Sequence, residues 1–202
     1  MLNIQQSIKI VEKIQELMMD RRIKKTQELI YSVFIELLKE SGFNKISVGT
    51  IAEKANINRG TFYFHFSDKY DLLEKCIEYY INELISHCKN NTEIKLDSNA
   101  MTQIFEYLKI NFDIYRALLS NEGESIFHKK LYNAFEEQIK RAIVKMPVEI
   151  INNAEIATPF IANGFIGVIE WWMNKGMPYT PEVMTKKLNI ILYPYTQFFK
   201  VN

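Results

Sequence analysis

The sequence predicts an all-α fold in two parts, an N-terminal bundle of short helices followed by a larger helical body. Apolar residues recur at spacings of three and four over most of the 202 residues, which is the period of an amphipathic helix. Turn-forming residues are scarce, since the chain has only 7 glycines and 5 prolines. The apolar content of 48% is ordinary for a globular protein and supports one sizeable core or two small coupled ones.

Residues 1–20 are interpreted as an N-terminal extension. Its apolar residues keep a helical spacing, which predicts an amphipathic helix: Ile4, Ile8, Val11, Ile14 and Met18. Two interpretations stay open. The extension is either an upstream start or frayed segment outside the fold, or an extra helix or arm that belongs to the bundle.

Residues 21–69 are predicted to form the bundle, called the head below, with a two-helix motif at about 47–66. Its leading helix ends at Gly42, because glycine readily caps a helix in the left-handed conformation. Ser47 is placed to cap the next helix by accepting a backbone N–H. Asn56 and Ile57 make the turn, and a second short helix follows from about Asn58 to Phe64.

The second short helix alternates phenyl rings with polar side chains. The rings are assigned to the core and the polar tips to the surface: Phe62, Phe64 and Phe66 against Thr61, Tyr63 and His65. One helix that braces and one that presents polar tips make a helix-turn-helix, whose second helix enters the major groove of DNA. The sequence therefore predicts an N-terminal three-helix DNA-binding domain of the helix-turn-helix type.

Candidate DNA contacts follow from position and side-chain chemistry. Phosphate contacts are predicted for Lys45, Ser47, Thr50, Tyr63 and Lys69. Contacts to base edges or phosphates are predicted for Asn58, Arg59, Gly60, Thr61 and His65. In bidentate contacts, arginine favours guanine and asparagine favours adenine, with ~1–3 kcal/mol of discrimination each. The alternative that Tyr63 and His65 merely pack the head stays open.

The charge distribution agrees with a DNA-binding head. The whole chain has a net charge of +1, but residues 20–69 carry nine basic and six acidic side chains, a net charge of +3. A mildly basic head on a nearly neutral body fits a sequence-selective binder with modest non-specific affinity.

Residues 70–202 are predicted to form the body, a helical ligand-binding and dimerisation domain. A helix capped by Ser67 starts in the head and ends in the body, so it is the candidate lever between them. A polar loop follows at about 90–99, and then four helices at about 101–119, 127–142, 148–175 and 180–198. Pro159 is expected to kink or divide the third of these four.

Two groups of body residues are candidates for binding. Aromatic residues can line an apolar ligand cavity or equally fill a core: Phe105, Phe112, Tyr115, Phe127, Phe135 and Phe160. Small residues and large apolar anchors in the last two helices can form a dimer interface or equally belong to the core: Ala162, Gly164, Gly167, Trp171, Trp172, Phe198 and Phe199.

Several function classes have weak signals. No apolar run reaches the length of a bilayer span and no signal peptide is visible. Cys76 and Cys88 lie too far apart on one helix to bridge, which indicates reduced thiols in a cytoplasmic protein. The three histidines are scattered, and no phosphate loop or nucleophile elbow appears. The chain is therefore not expected to be an enzyme or to hold a metal or cofactor.

Residues 21 to 75 resemble the TetR family of bacterial transcription regulators. The resemblance is densest in the stretches Ile51-Ala52-Glu53-Lys54-Ala55 and Gly60-Thr61-Phe62-Tyr63-Phe64-His65-Phe66, and also includes Gly42-Phe43, Ser47-Val48 and Lys69. Two positions depart from the family pattern. Gly49 stands where a better helix former is expected, and Asn56 stands where the family usually has glycine.

The resemblance implies a function and its partners. It supports Thr61, Tyr63, His65 and Lys69 as DNA contacts, and it implies a homodimer joined through the last helices. It also implies a repressor released from its double-stranded DNA operator when a small effector binds the body. Residues 162–178 further resemble a subgroup that includes the DhaS-type activators. That likeness supports the alternative, a regulator or activator controlled by a partner protein docking on the body.

Overall fold

The computed structural model describes residues 4–87, 98–119, 122–144 and 148–198. The chain divides into two compact units, Met1–Leu72 and Leu73–Asn202, so the division falls three residues after the boundary predicted at Lys69. Every regular element in the described ranges is a helix. Within the same ranges, no helix combines the length and the apolar character needed to cross a membrane.

The first unit is built around one long helix. α1 runs Ile4–Ser41, so the predicted extension continues the leading helix without a break. A 3-10 turn at Phe43–Lys45, α2 at Val48–Lys54 and α3 at Arg59–His65 follow. Their apolar sides meet in a small core that includes Phe34, Phe43, Ile51, Ala52, Phe62 and Phe66, all buried.

The turns of the first unit have the predicted conformations, and one predicted cap is wrong. Gly42 has a φ of 73° and Asn56 a φ of 51°, so asparagine adopts the left-handed turn that usually takes glycine. Ser47 accepts the N–H of Thr50. The helix that follows α3, however, is capped by Asp68, whose Oδ1 accepts the N–H groups at positions 70 and 71. A carboxylate suits this position better than the predicted Ser67 hydroxyl because it also complements the helix dipole.

The second unit contains the rest of α4, Lys69–His87, and six further helices in the described ranges. These are α5 Ser98–Ile110, α6 Phe112–Leu118, α7 Glu124–Ile143, α8 Val148–Ile151, α9 Ala154–Asn174 and α10 Pro181–Phe198. α7 packs on α9, and α5 packs on α10. The body therefore has more helices than the four predicted after the polar loop.

Asparagines divide two of the predicted body helices. Asn111 leaves the helical conformation between α5 and α6, and its side-chain amide donates to the carbonyl of Tyr107 at 2.9 Å. The predicted helix at 148–175 is divided at residues 152–153 into α8 and α9. Pro159, expected to make that division, instead lies inside α9 close to its start. Asparagine has a low helix propensity and lies at both breaks, and at Asn111 its side chain also bonds to the nearby backbone.

The body core buries large aromatic side chains and a thiol. Trp172 is fully buried, and its Nε1 donates to the carbonyl of Tyr179 at 2.9 Å. On α4, burial raises the pKa of the Cys76 thiol; Cys88 lies outside the described residues. Between α4 and α7, Lys130 pairs with Glu74 at 3.0 Å and with Glu78 at 2.7 Å. These contacts hold α4 against the remainder of the body.

Candidate nucleic-acid interface

α3 presents one face to the core of the first unit and the other to solvent. Phe62 is fully buried on the inner side. Arg59, Gly60, Tyr63 and Phe64 are exposed on the outer side, with Tyr63 57% exposed. The outward side thus combines a cation, a phenol and bare backbone, which are groups that contact phosphates and base edges.

The turn before α3 is fixed by a side-chain cap. Asn58 Oδ1 accepts the N–H of Thr61 at 2.7 Å and lies 3.1 Å from the Thr61 hydroxyl, which donates to it. A bidentate contact to adenine needs this oxygen as well as the amide nitrogen. The predicted bidentate adenine contact by Asn58 is therefore not available in this conformation. Asn58 orients α3, and its amide N–H₂ group remains for a single contact.

Phe64 is a surface residue that the sequence assigned to the core. Its side chain is 71% exposed, and its ring lies edge-to-face on His65 with centroids 5.0 Å apart. A seven-residue helix has room for only one strongly buried side, and Phe62 fills it, with Phe66 following just after the helix. An outward phenyl ring beside polar tips can contact a thymine methyl group. The helical period places positions 62 and 64 on opposite sides, and this signal was available in the sequence.

Lys69 is held by the head itself. Its Nζ donates to the carbonyls of Phe43 at 3.2 Å and Ile46 at 3.1 Å, and it lies 4.5 Å from the centre of the Phe43 ring. From the sequence, this ammonium was predicted to contact a DNA phosphate. The structure instead uses it to fasten the segment between α1 and α2 to the start of α4.

The remaining predicted contacts lie on the surface of the head. Lys45, Ser47 and Thr50 are exposed, and the hydroxyls of Ser47 and Thr50 lie 2.6 Å apart. His65 and Thr61 are half-buried. Arg59 forms no hydrogen bond or ion pair within the described residues, so its guanidinium donors stay available.

Most of the aromatic residues predicted to line a ligand pocket are packed against each other. Phe105, Tyr115, Phe127 and Phe135 are buried. The rings of Tyr115 and Phe127 are 6.1 Å apart, and the Tyr115 hydroxyl donates to the carbonyl of Tyr80 at 2.7 Å. These four residues therefore form a core, which was the open alternative.

Two other predicted pocket residues lie elsewhere. Phe112 is half-buried beneath the guanidinium of Arg116, 5.7 Å from its ring centre. Phe160 is 65% exposed on α9, so the pocket assignment is wrong for it. A surface position was not expected because large apolar residues lie on both the buried and the exposed side of α9.

The residues predicted to form a dimer interface divide between core and surface. Ala162 and Trp172 are fully buried within this chain, so their assignment to an interface is wrong. Gly164, Gly167 and Trp171 are exposed. Phe198 ends α10, and Phe199 lies outside the described residues. The exposed three, together with Ile156 and Phe160, form an outward apolar stripe along α9, called the α9 stripe below.

His128 is part of a polar contact that the sequence did not indicate. Its Nδ1 lies 2.9 Å from Glu170 Oε1, and its Nε2 lies 3.2 Å from Asn163 Oδ1. The contact joins α7 to α9 at the surface of the body. Among the described residues, no three His, Cys, Asp or Glu side chains are placed to hold a metal ion.

Two family models match the chain. Residues 30–76 match the model described as bacterial regulatory proteins of the tetR family, and residues 98–194 match one described as a transcriptional regulator C-terminal region. The first match covers the helix-turn-helix, and the second covers most of the body. Together the two models account for both units of the structure.

Individual relatives agree with these matches. The HTH-type transcriptional regulator YxbF of Bacillus subtilis (strain 168) is 24% identical over 182 residues, 87% of this chain and 47% of that protein. DhaS of Lactococcus lactis subsp. lactis (strain IL1403), an activator of its dhaKLM operon, is 30% identical over 93 residues, 46% of this chain and 48% of that protein. The matched regions thus span about half the length of these two relatives.

A solved structure of a TetR transcriptional regulator from Streptococcus agalactiae 2603V shares the fold. It superimposes with a TM-score of 0.63 and 26% identity, covering 88% of this chain and 98% of that one. The matching families and relatives are transcriptional regulators and not enzymes. The chain belongs to the TetR family of transcriptional regulators, and its helix-turn-helix is the DNA-binding domain of that family.

Proposed function

We propose that this regulator binds operator DNA as a homodimer, with α3 of each copy in the major groove, and that it acts as a repressor in the cytoplasm. The observation that carries the proposal is the outward face of α3. Arg59 and Tyr63 are exposed there while Phe62 anchors the helix from behind. The head is also the basic part of the chain, which favours contact with phosphates.

The α9 stripe supports the homodimer. Ile156, Phe160 and Trp171 are exposed large apolar side chains at helical spacing. Gly164 and Gly167 lie between them in the sequence. Apart from the adjoining residues and backbone of α9 itself, no described part of the chain lies within 4 Å of where a Cβ would stand at either glycine. Apolar anchors around bare backbone suit the close approach of a second helix, and a second copy offers the same stripe by symmetry.

Repression is the simpler consequence of operator binding. A dimer seated on an operator blocks access to that DNA without needing any contact to another protein. Activation is the alternative, and the likeness to DhaS, an activator of its own operon, favours it. A reporter promoter that carries the operator tests whether the regulator represses or activates transcription. Deleting the regulator raises transcription if it represses and lowers transcription if it activates.

Control by a small effector and control by a docking partner make different demands on the body. In the effector mechanism, binding favours one of two body arrangements, and the helix that begins after Ser67 changes the separation of the two heads. An effector shifts that equilibrium only by its difference in affinity between the arrangements. An effector that bound at the predicted pocket would also have to open space among packed aromatic residues, namely Phe105, Tyr115, Phe127 and Phe135. This packing favours the docking partner.

One binding experiment tests the DNA proposal. The full-length protein selects sequences from a library of random duplexes. We expect an inverted repeat whose half-sites are centred about one helical turn apart, ~34–36 Å, or a multiple of it, with two protomers bound. Enrichment of a lone half-site by a single protomer, or no enrichment, would contradict the proposal.

The same operator separates the two kinds of control. The bound dimer is challenged with the low-molecular-mass filtrate of a cell extract and, separately, with the retained protein fraction. Release by the filtrate alone supports a small effector. Release or tightening by the protein fraction alone supports a docking partner.

A further inference from the structure

Gly49 is an unexpected residue for its place in the fold. It lies in α2, the bracing helix of seven residues at Val48–Lys54, and is half-buried there. Glycine is among the least favourable residues in a helix interior because it gives up the most backbone freedom on folding. α2 has no left-handed residue or break at this position, so backbone conformation does not require glycine.

The space beside Gly49 is occupied by the side chain of Arg59. A Cβ added to Gly49 would stand 2.8 Å from Arg59 Nη2 and 3.6 Å from its Cζ. The Ser47 hydroxyl would also lie nearby, at 3.5 Å. The guanidinium of Arg59 therefore reaches back from the first residue of α3 and rests against the bare backbone of α2.

Arg59 is otherwise unconstrained by this chain. It is exposed, and its guanidinium has no hydrogen bond or ion pair among the residues that the structure describes. A guanidinium recognises guanine through two parallel donors, so the position and plane of that fork decide which base it can reach. A residue of α2 that fixes the position of the Arg59 guanidinium therefore also influences which base pair Arg59 contacts.

We propose that Gly49 is a specificity-determining residue that positions the Arg59 guanidinium for base recognition. The missing side chain lets the fork lie across α2, and any larger residue at position 49 displaces it. The inference rests on the proposed role of Arg59 in operator binding. It adds a residue that touches no base itself and acts only through Arg59.

The test is a double-mutant cycle on the full-length protein. Wild type, Gly49→Ala, Arg59→Ala and the double variant each select from the same library of random duplexes, and affinities for the enriched sequences are measured at fixed salt. Glu53→Ala, a change at an exposed position of the same helix, is the matched control. The double variant carries the same alanine without the guanidinium, so it separates displacement of Arg59 from any direct effect on folding, which circular dichroism monitors.

We expect Arg59→Ala to abolish the preference at one base pair per half-site. Gly49→Ala should lower that preference about tenfold or move it to a neighbouring pair, with other positions unchanged. In the Arg59→Ala background, Gly49→Ala should add nothing. Glu53→Ala should change no base preference.

Other outcomes are distinguishable. If Arg59→Ala leaves every preference intact, base reading by Arg59 fails and the inference fails with it. If Arg59→Ala removes a preference that Gly49→Ala leaves untouched, only the inference on Gly49 is overturned. The inference on Gly49 is also overturned if Gly49→Ala lowers the affinity for all sequences equally. The same holds if Gly49→Ala still changes a base preference in the Arg59→Ala background, because α2 would then influence DNA binding without Arg59.

Discussion

Gly49 and Gly60 of the head differ from Gly164 and Gly167 of α9 in what surrounds them. In the head, a side chain of this chain lies close to the bare backbone: Arg59 Nη2 beside Gly49, and Asn58 Oδ1 at 3.1 Å from a Cβ added to Gly60. In α9, no described residue outside the adjoining helix lies within 4 Å of a Cβ added to Gly164 or Gly167. Gly49 and Gly60 are explained by the fold of one protomer. Gly164 and Gly167 are not explained in this way, which supports the proposed interface between two copies along α9.

The same contrast separates the two outward helix faces. α3 turns Arg59 and Tyr63 to solvent, and such groups can bond to phosphates and bases. α9 exposes Phe160 and Trp171, which have large apolar surfaces but few groups that can form hydrogen bonds. These surfaces support the proposal that the α3 face contacts nucleic acid and the α9 face contacts a second protein molecule. Each prediction below tests one side of this comparison.

The largest expected effect comes from two neighbouring tryptophans. Trp172→Ala should lower the free energy of unfolding of the body by about 3–5 kcal/mol, because it leaves a cavity and removes the bond to the Tyr179 carbonyl. Trp171→Ala should leave the folded protomer intact but weaken dimerisation by roughly 30-fold, as expected when an interface anchor is lost. Chemical denaturation and sedimentation at several protein concentrations measure the two effects.

Gly164→Leu is the companion variant for the dimer. Gly164 is exposed and a Cβ added there meets open space, so the helical content of the protomer should be unchanged. The leucine should keep a second helix from approaching and so abolish the dimer. Dimers of normal affinity in both Trp171→Ala and Gly164→Leu would place the interface away from α9.

A second prediction concerns the outward face of α3. Arg59→Ala combined with Tyr63→Ala should lower affinity for the selected operator on the order of 100-fold, because both side chains are exposed and each contributes contacts. The melting temperature should move by only a few degrees, since neither residue is buried. Fluorescence anisotropy at fixed salt measures the affinity. Unchanged binding would show that another face meets the DNA.

The smallest effect is expected at Lys69. Lys69→Met should destabilise the head by about 1–2 kcal/mol, because it removes two charge-assisted hydrogen bonds to the carbonyls of Phe43 and Ile46. DNA affinity should fall modestly and equally for all sequences. The slope of log affinity against log salt concentration should be unchanged if the ammonium bonds only to the backbone of the head. A slope reduced by about one would instead support the phosphate contact that was predicted from the sequence.

The helix-turn-helix was predictable because its signals are local. The cap at Ser47, the left-handed turn at Asn56 and the inward Phe62 each depend on a few neighbouring residues. The roles of Asn58 and Lys69 were not predictable from chemistry alone. Both carry groups that suit DNA, and only the folded chain shows that their own backbone already uses them.

The body was harder to predict because α9 is apolar on both faces. One face fills the core and the other forms the α9 stripe, so the hydrophobic period that would orient the helix is lost. Trp171 and Trp172 are adjacent and chemically identical, yet one is 44% exposed and the other fully buried. Phe160 was misassigned for the same reason. The breaks lie at Asn111 and at the pair Asn152-Asn153, and asparagine disfavours a helix less strongly than proline does.

The buried thiol of Cys76 can report how often the body opens. A thiolate is the species that reacts with alkylating reagents, and burial both hides this sulfur and raises its pKa. Its labelling in a Cys88→Ser background therefore requires the surrounding helices to open first. The labelling rate therefore measures how readily the body opens. A slower or faster rate after DNA, an effector or a partner is added would show that binding stabilises or destabilises the body, and no probe has to be introduced.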